Sequence, residues 1–168
     1  MSAGTIFCMA GDKIYMDYTS SLGPIDPQVL RNSNGMETWV PALGYLDKYE
    51  ELIEKAKLGT LTDPEFVMLT NFNLAELRSF QQACDLTVSL LKDWLVKYKF
   101  KDWTHHKTHD IGREVTAKEK EARAEEIAIK LGDNKIWHSH GRMLGIRTLT
   151  DVLRLEIEDY TNEIDLIS

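Results

Sequence analysis

Cysteine is nearly missing from this chain, and its two thiols, Cys8 and Cys84, stand far apart with neither ligand nor redox spacing. A disulfide framework is thereby excluded. Two buried, reduced core residues are expected instead, Cys8 on the apolar side of the first helix. Long apolar runs are also missing, so nothing in the sequence is built to cross a bilayer. The first residues lack the charged and apolar regions of a signal peptide. A cytoplasmic protein is expected, with membrane association only through a segment upstream of Met1. Basic charge is in deficit: Lys and Arg number 20 against 27 Asp and Glu, for a net charge of −7 and a pI near 5.2. With no basic stripe to offset that balance, nucleic acid is not an expected partner. The densest basic stretch, Lys92 to Lys101, is spread around a helix among Trp94, Leu95 and Tyr98, and reads as a solvated face.

Cofactor signatures are lacking too. Five histidines fall in two groups, His105, His106 and His109, then His138 and His140. Neither group carries the cysteine pairs of a structural zinc site or the His-Glu-x-x-His of a catalytic one. No Gly-x-Gly-x-x-Gly follows a strand, so no dinucleotide is implied. No metal and no cofactor are expected.

Strand-like sequence is scarce. The candidates are Lys13 to Asp17 and Leu155 to Asp159, and two separated short strands make no stable sheet by themselves. Most of the chain reads as helix. Pro41 suits the first turn of a helix reaching about Lys57, with an apolar stripe at Leu46, Tyr49, Leu52, Ile53 and Ala56 and Gly59 as its terminator. Asp63-Pro64-Glu65 reads as an N-cap with proline at the first helical position, opening a long helix or pair to Phe100. Its stripe of Phe66, Leu69, Leu74, Leu77, Phe80, Ala83, Cys84, Val88, Leu91 and Leu95 reads as core. After a polar loop from Lys101 to Glu114, Thr116 caps a charged helix ending at Leu131 with Gly132 behind it. Glu119, Arg123, Glu126 and Lys130 offer ion pairs along it, which suggests an exposed surface helix. A Trp-His-Ser-His-Gly-Arg loop and a short helix near Thr148 to Leu153 complete the chain.

What the sequence does hold is concentrated in its first residues, MSAGTIFCMAGDKIYMDYTSSLGPIDPQ. Ser2, Ala3 and Gly4 open a short helix. A serine there is surrounded by backbone N–H groups without intrahelical partners, at the positive end of the helix dipole, where an oxyanion would be stabilised. The small residues behind it leave room for a carbonyl, and the Ala3 N–H is the natural first oxyanion donor. The start Ser2-Ala3-Gly4-Thr5 also reads as an ordinary helix cap.

The segments SAGTIFCMAGDKIYMD and SLGPIDPQV resemble the serine dehydrogenase proteinase family, of the ClpP/crotonase-like superfamily and related to signal peptide peptidase A and the NfeD-type serine peptidases. The resemblance is dense to residue 29 and looser through Val40-Pro41-Ala42, Arg123 to Asp133 and Trp137 to Gly141. It implies an α/β fold of which this chain is the C-terminal portion, predominantly helical with few short strands. On that reading residues 1–168 are a single partial domain: a nucleophile helix, strand and loop to residue 40, helices to residue 100, then a polar loop, charged helix and strand region. It also implies a serine peptidase that cleaves peptide or protein substrates through an acyl-enzyme, forms homo-oligomers, and uses Ser2 as nucleophile. Because the family carries strands and a glycine-rich loop before its serine, the chain is expected to be part of a longer protein.

A serine nucleophile needs a base. Clp proteases place a histidine roughly two dozen residues after the serine, as the resemblance implies, and the region here reads Gly23-Pro24-Ile25-Asp26-Pro27. Lysine-dependent relatives leave Lys48 as the candidate, with Lys55 on a similar face of the same helix. Asp26 is a weaker one, since a residue before Pro27 is ordinarily a turn residue. Either lysine would need burial to depress its pKa, whereas both stand among acidic residues. An alternative is a non-catalytic remnant, or an oligomerisation and interaction module of the same fold.

Overall fold

A computed structural model describes residues 2–33, 35–108, 110–139 and 141–162, with the side chains of Ser2, Asn32 and Ser33 outside the described set. The protein is mixed α/β and 54 % helical, so helix dominates over a few short strands. In chain order the elements are α1 (Ser2–Met9), β1 (Tyr15–Met16), β2 (Gln28–Ser33), β3 (Met36–Pro41), α2 (Ala42–Lys57), α3 (Asp63–Thr70) and α4 (Leu74–Trp94). A π-helical turn (Leu95–Lys99), α5 (Ala117–Gly132), α6 (Asn134–Trp137), α7 (Ile146–Asp151) and β4 (Glu158–Asp159) follow. The chain divides into two compact units, residues 1–25 with 88–168 and residues 26–87.

In the first unit, the two strand candidates are each other's partners. β1 and β4 pair in parallel, Tyr15 opposite Glu158 and Met16 opposite Asp159. Their ends are fastened by Glu158 N–H to the Ile14 carbonyl at 2.8 Å and Tyr160 N–H to the Met16 carbonyl at 3.1 Å. Around them Met9, Met16, Ile25, Leu91, Leu95, Ile127, Leu131, Leu144, Leu149 and Leu153 close into one buried cluster. Burial of each such side chain contributes about 1.5 to 3 kcal/mol.

Helix α5 starts as its sequence predicts. Thr116 Oγ1 accepts the Glu119 N–H at 3.3 Å and the Glu119 carboxylate accepts the Thr116 N–H at 2.9 Å, a reciprocal cap. It is not a surface helix, however. Ala124, Ile127, Ala128 and Leu131 are buried, because their spacing of three and four residues forms a stripe beneath the charged face. On that face Glu126 gathers Arg123, Lys130 and Arg154, whereas Glu119 turns to Arg113.

The second unit contains an antiparallel hairpin where the sequence predicts a loop. β2 and β3 pair from Gln28 opposite Pro41 to Ser33 opposite Met36. In the turn between them Gly35 has a φ of 81°, a conformation glycine adopts without steric cost. Helix α2 matches its expected span. It ends with Gly59 at φ 68°, the Gly59 N–H on the Ala56 carbonyl at 3.1 Å and the Thr60 N–H on the Lys55 carbonyl at 2.9 Å. The cap of α3 is Thr62 rather than Asp63: Thr62 is extended, and Glu65 accepts its N–H at 3.0 Å. Asp63 is already helical. Leu52, Leu77 and Phe80 are buried, and Tyr45 packs against Phe72 and Phe80 with ring centroids 4.9 and 4.7 Å apart. The expected core stripe is interrupted, since Phe66 and Leu74 are exposed. Cys8 and Cys84 are free thiols and only partly buried, so neither is the fully enclosed core residue expected.

Candidate active site

Ser2 is the first residue of α1 by its backbone; its side chain lies outside the described residues. Ala3 and Gly4 follow in the first turn, both exposed, where backbone N–H groups have no acceptor within the helix. A side chain on Gly4 would meet nothing within 4 Å, so the approach to this turn is open.

Thr5, one residue further, is completely buried. Its hydroxyl donates to the Gly23 carbonyl at 2.8 Å and accepts the Gly23 N–H at 2.9 Å. Two segments eighteen residues apart are therefore latched by one side chain. The Leu-Gly-Pro-Ile-Asp-Pro string is tied down along its length. Leu22 exchanges two backbone hydrogen bonds with Leu144, at 3.1 and 2.9 Å, and the Ile25 N–H reaches the Leu131 carbonyl at 3.0 Å.

In the second unit the same string caps α2. Pro41, at the N-cap, offers no side-chain oxygen. The Pro27 carbonyl accepts the Ala42 N–H at 2.9 Å and the Asp26 carboxylate accepts the Leu43 N–H at 3.1 Å. Asp26, only 3 % exposed, thus satisfies one of the orphan donors of a helix start. That is a structural duty that sequence reasoning did not anticipate.

Lys48 is on α2 with its ammonium 2.9 Å from Glu51 and its side chain 43 % exposed. Lys55 meets Glu65 at 2.6 Å and Glu51 at 3.1 Å. Hydrogen bonds that Lys55 donates to Glu65 and then to Glu51 raise its pKa above the ordinary value, away from the direction a general base requires. Ser2 and Ala3 belong to the first unit, and Asp26, Lys48 and Lys55 to the second.

Among the histidines, His105 Nδ1 lies 3.0 Å from the Thr104 hydroxyl. His106 Nε2 stands 2.8 Å from the Arg113 guanidinium and 3.3 Å from Glu119. His138 takes the left-handed conformation at the end of α6, with φ 60°. His109 and His140 lie outside the described residues. Among the described residues no three His, Cys, Asp or Glu side chains converge as a metal site. No described helix is long and apolar enough to cross a membrane.

Comparison with family models, with curated proteins and with solved structures gave no match. Thr5 is the residue that sequence reasoning missed at this site; the signal available for it was a hydroxyl among apolar helix positions, where a buried partner is required.

Proposed function

We propose that this protein is a serine peptidase-like hydrolase with a ClpP/crotonase-like fold, in which this chain bears the nucleophile. In this reading the Ser2 hydroxyl attacks the carbonyl carbon of a peptide bond and its proton passes to the base. The Ala3 N–H donates to the resulting oxyanion. Collapse breaks the C–N bond, the amine leaves with that proton, and water releases the acyl group from Ser2. Lys48 is the candidate base, which requires it to part from Glu51 and lose its proton. The substrate is a peptide or protein, and the working form a homo-oligomer. The observation that carries the reading is the double hydrogen bond between Thr5 and Gly23, which holds the first turn of α1 against the Gly-Pro loop.

A serine-directed fluorophosphonate tests it. The probe is expected to label Ser2 in the native chain, to leave Ser2→Ala unlabelled, and to react slowly with Lys48→Ala. Labelling that persists in Ser2→Ala, or a native chain labelled no more than the heat-unfolded one, overturns the assignment.

A second reading, a non-catalytic interaction module, is favoured by one observation. Helix α3 buries no residue although Phe66, Val67 and Met68 stand on it, each about half exposed. Large apolar side chains grouped in this way are ordinarily covered by a partner. Light scattering separates this reading from an inert monomer: mass should rise with concentration and fall in the Phe66→Ser, Met68→Ser double variant.

A further inference from the structure

In the first unit, a cleft of about 550 Å³ opens beside the π-helical turn that ends at Lys99. That volume falls within the size range of small-ligand sites. Its apolar wall is Tyr98, Phe100 and Trp103, with Trp103 edge-on to Phe100 at 5.5 Å between centroids. Single-turn π-helical segments recur at functional sites because the extra residue redirects side chains.

The cations around the cleft divide into two kinds. Lys13 pairs with Glu158 at 2.7 Å and Lys107 with Glu156 at 3.3 Å. Arg123 and Arg154 both reach Glu126. Lys99 differs, since among the described residues its ammonium has no carboxylate oxygen within 4.0 Å. Its polar contact is the Asp12 main-chain carbonyl at 3.3 Å. The Asp12 carboxylate is itself engaged 2.7 Å from Lys101. Lys99 therefore departs from the solvated face expected of the Lys92 to Lys101 stretch. Burial pulls its pKa below the ordinary lysine value, the direction in which an incoming anion would be welcomed.

The walls also limit the charge of a ligand. Asp12, Asp102, Glu156 and Glu158 line the same cleft, and a dianion such as phosphate would meet their combined repulsion. One unpaired cation beside three aromatic rings suits one negative charge on an apolar body.

We propose that this cleft binds a small monocarboxylate with an aromatic or aliphatic body, its carboxylate on Lys99 Nζ and its body against Trp103. The site is independent of any chemistry at Ser2.

The test is calorimetric titration of the native chain with 4-phenylbutyrate, 4-phenylbutan-1-ol and inorganic phosphate. The acid should bind with a Kd on the order of 1 mM, as expected for a ligand of that size, and the alcohol at least about tenfold more weakly. Phosphate should not displace the acid. Lys99→Met should weaken acid binding about tenfold, and Lys57→Met, which removes the same charge from an exposed lysine of the second unit paired with Glu54, should leave it unchanged. Equal binding of acid and alcohol overturns the proposal, as does displacement by phosphate or a folded Lys99→Met that binds as the native chain does. Absence of a saturable signal overturns it as well. Should Lys99→Met fail to fold, the acid and alcohol comparison on the native chain decides alone.

Discussion

Thr5 and Gly23, eighteen residues apart, exchange two hydrogen bonds through a single buried hydroxyl, one donated at 2.8 Å and one accepted at 2.9 Å. The arrangement converts a local motif into a tertiary one: α1 cannot turn about its axis without exposing both polar groups of Gly23 to an apolar surrounding. Threonine suits the position because its hydroxyl both donates and accepts, and its methyl group adds to the core.

Thr5→Val keeps that volume and removes both bonds. Leaving a buried donor and acceptor without this partner is expected to cost about 1 to 3 kcal/mol, read as a lower urea midpoint with an unchanged slope. Thr5→Ser should recover most of it. A Thr5→Val protein as stable as the native one would show that the latch is not needed to hold the Ser2 turn.

Asp26 and Lys48 were both candidates for the base, and their surroundings separate them. Asp26→Ala deprives the Leu43 N–H of its acceptor, and loss of a helix-start cap typically costs about 1 to 2 kcal/mol. Lys48→Ala removes an exposed pair with Glu51, worth at most about 1 kcal/mol. If Lys48 is the base, its alanine variant loses fluorophosphonate reactivity while melting close to the native temperature. Asp26→Ala should melt lower. The reverse pattern would transfer the catalytic assignment to Asp26.

Local signals were the legible ones. Gly59 and Thr116 each fix a helix end through main-chain conformation or a neighbouring side chain and appear where the sequence puts them, whereas Pro41, expected in the first turn, is the extended residue just before α2. The β2–β3 hairpin had an equally local signal in Asn34-Gly35, but its flanking residues do not alternate cleanly between apolar and polar, so the strand period was obscured. Other features depend on distant segments. β1 and β4 were recognisable as strands, yet nothing in either says that it pairs with the other across most of the chain. The buried face of α5 was masked by a charged composition, although Ala124, Ile127, Ala128 and Leu131 have the right spacing. Asp26 as a cap and Lys99 as an unpaired cation depend on tertiary surroundings, which residue type alone does not carry.

Acid should weaken this protein through three glutamates. Lys55 beside Glu65, Arg113 beside Glu119 and Lys130 beside Glu126 hold each carboxyl at about 2, against an ordinary value of 4.5. A carboxylate whose folded pKa is depressed adds stability that is complete above its unfolded pKa and is lost as pH falls through the folded one. The window is therefore between pH 4.5 and about 2. Urea denaturation across that window at low salt should show falling stability, with a shallower fall in Glu126→Gln. A variant with the native pH slope would remove Glu126 from the account, and added salt should flatten the profiles of the more exposed pairs.

Cys84 is expected to be a slow thiol. Burial raises its pKa from 9.0 to about 11, and the negative charges of Asp26, Asp85 and Asp47 push in the same direction. Because the thiolate is the reacting form, its population at a given pH falls about tenfold for each unit of that rise, so alkylation should be about a hundredfold slower than for an unperturbed cysteine. Iodoacetamide at mildly alkaline pH, followed by mass spectrometry of the Cys84 peptide, measures this without interference from Cys8. The rate should largely recover in urea, where burial and the approach of Asp26 and Asp47 are lost. Asp85→Asn should recover only a small part, since burial is the larger cause. Native Cys84 alkylated as fast as in urea would mean that the thiol is open to solvent and that its helix face in the second unit is not packed as described.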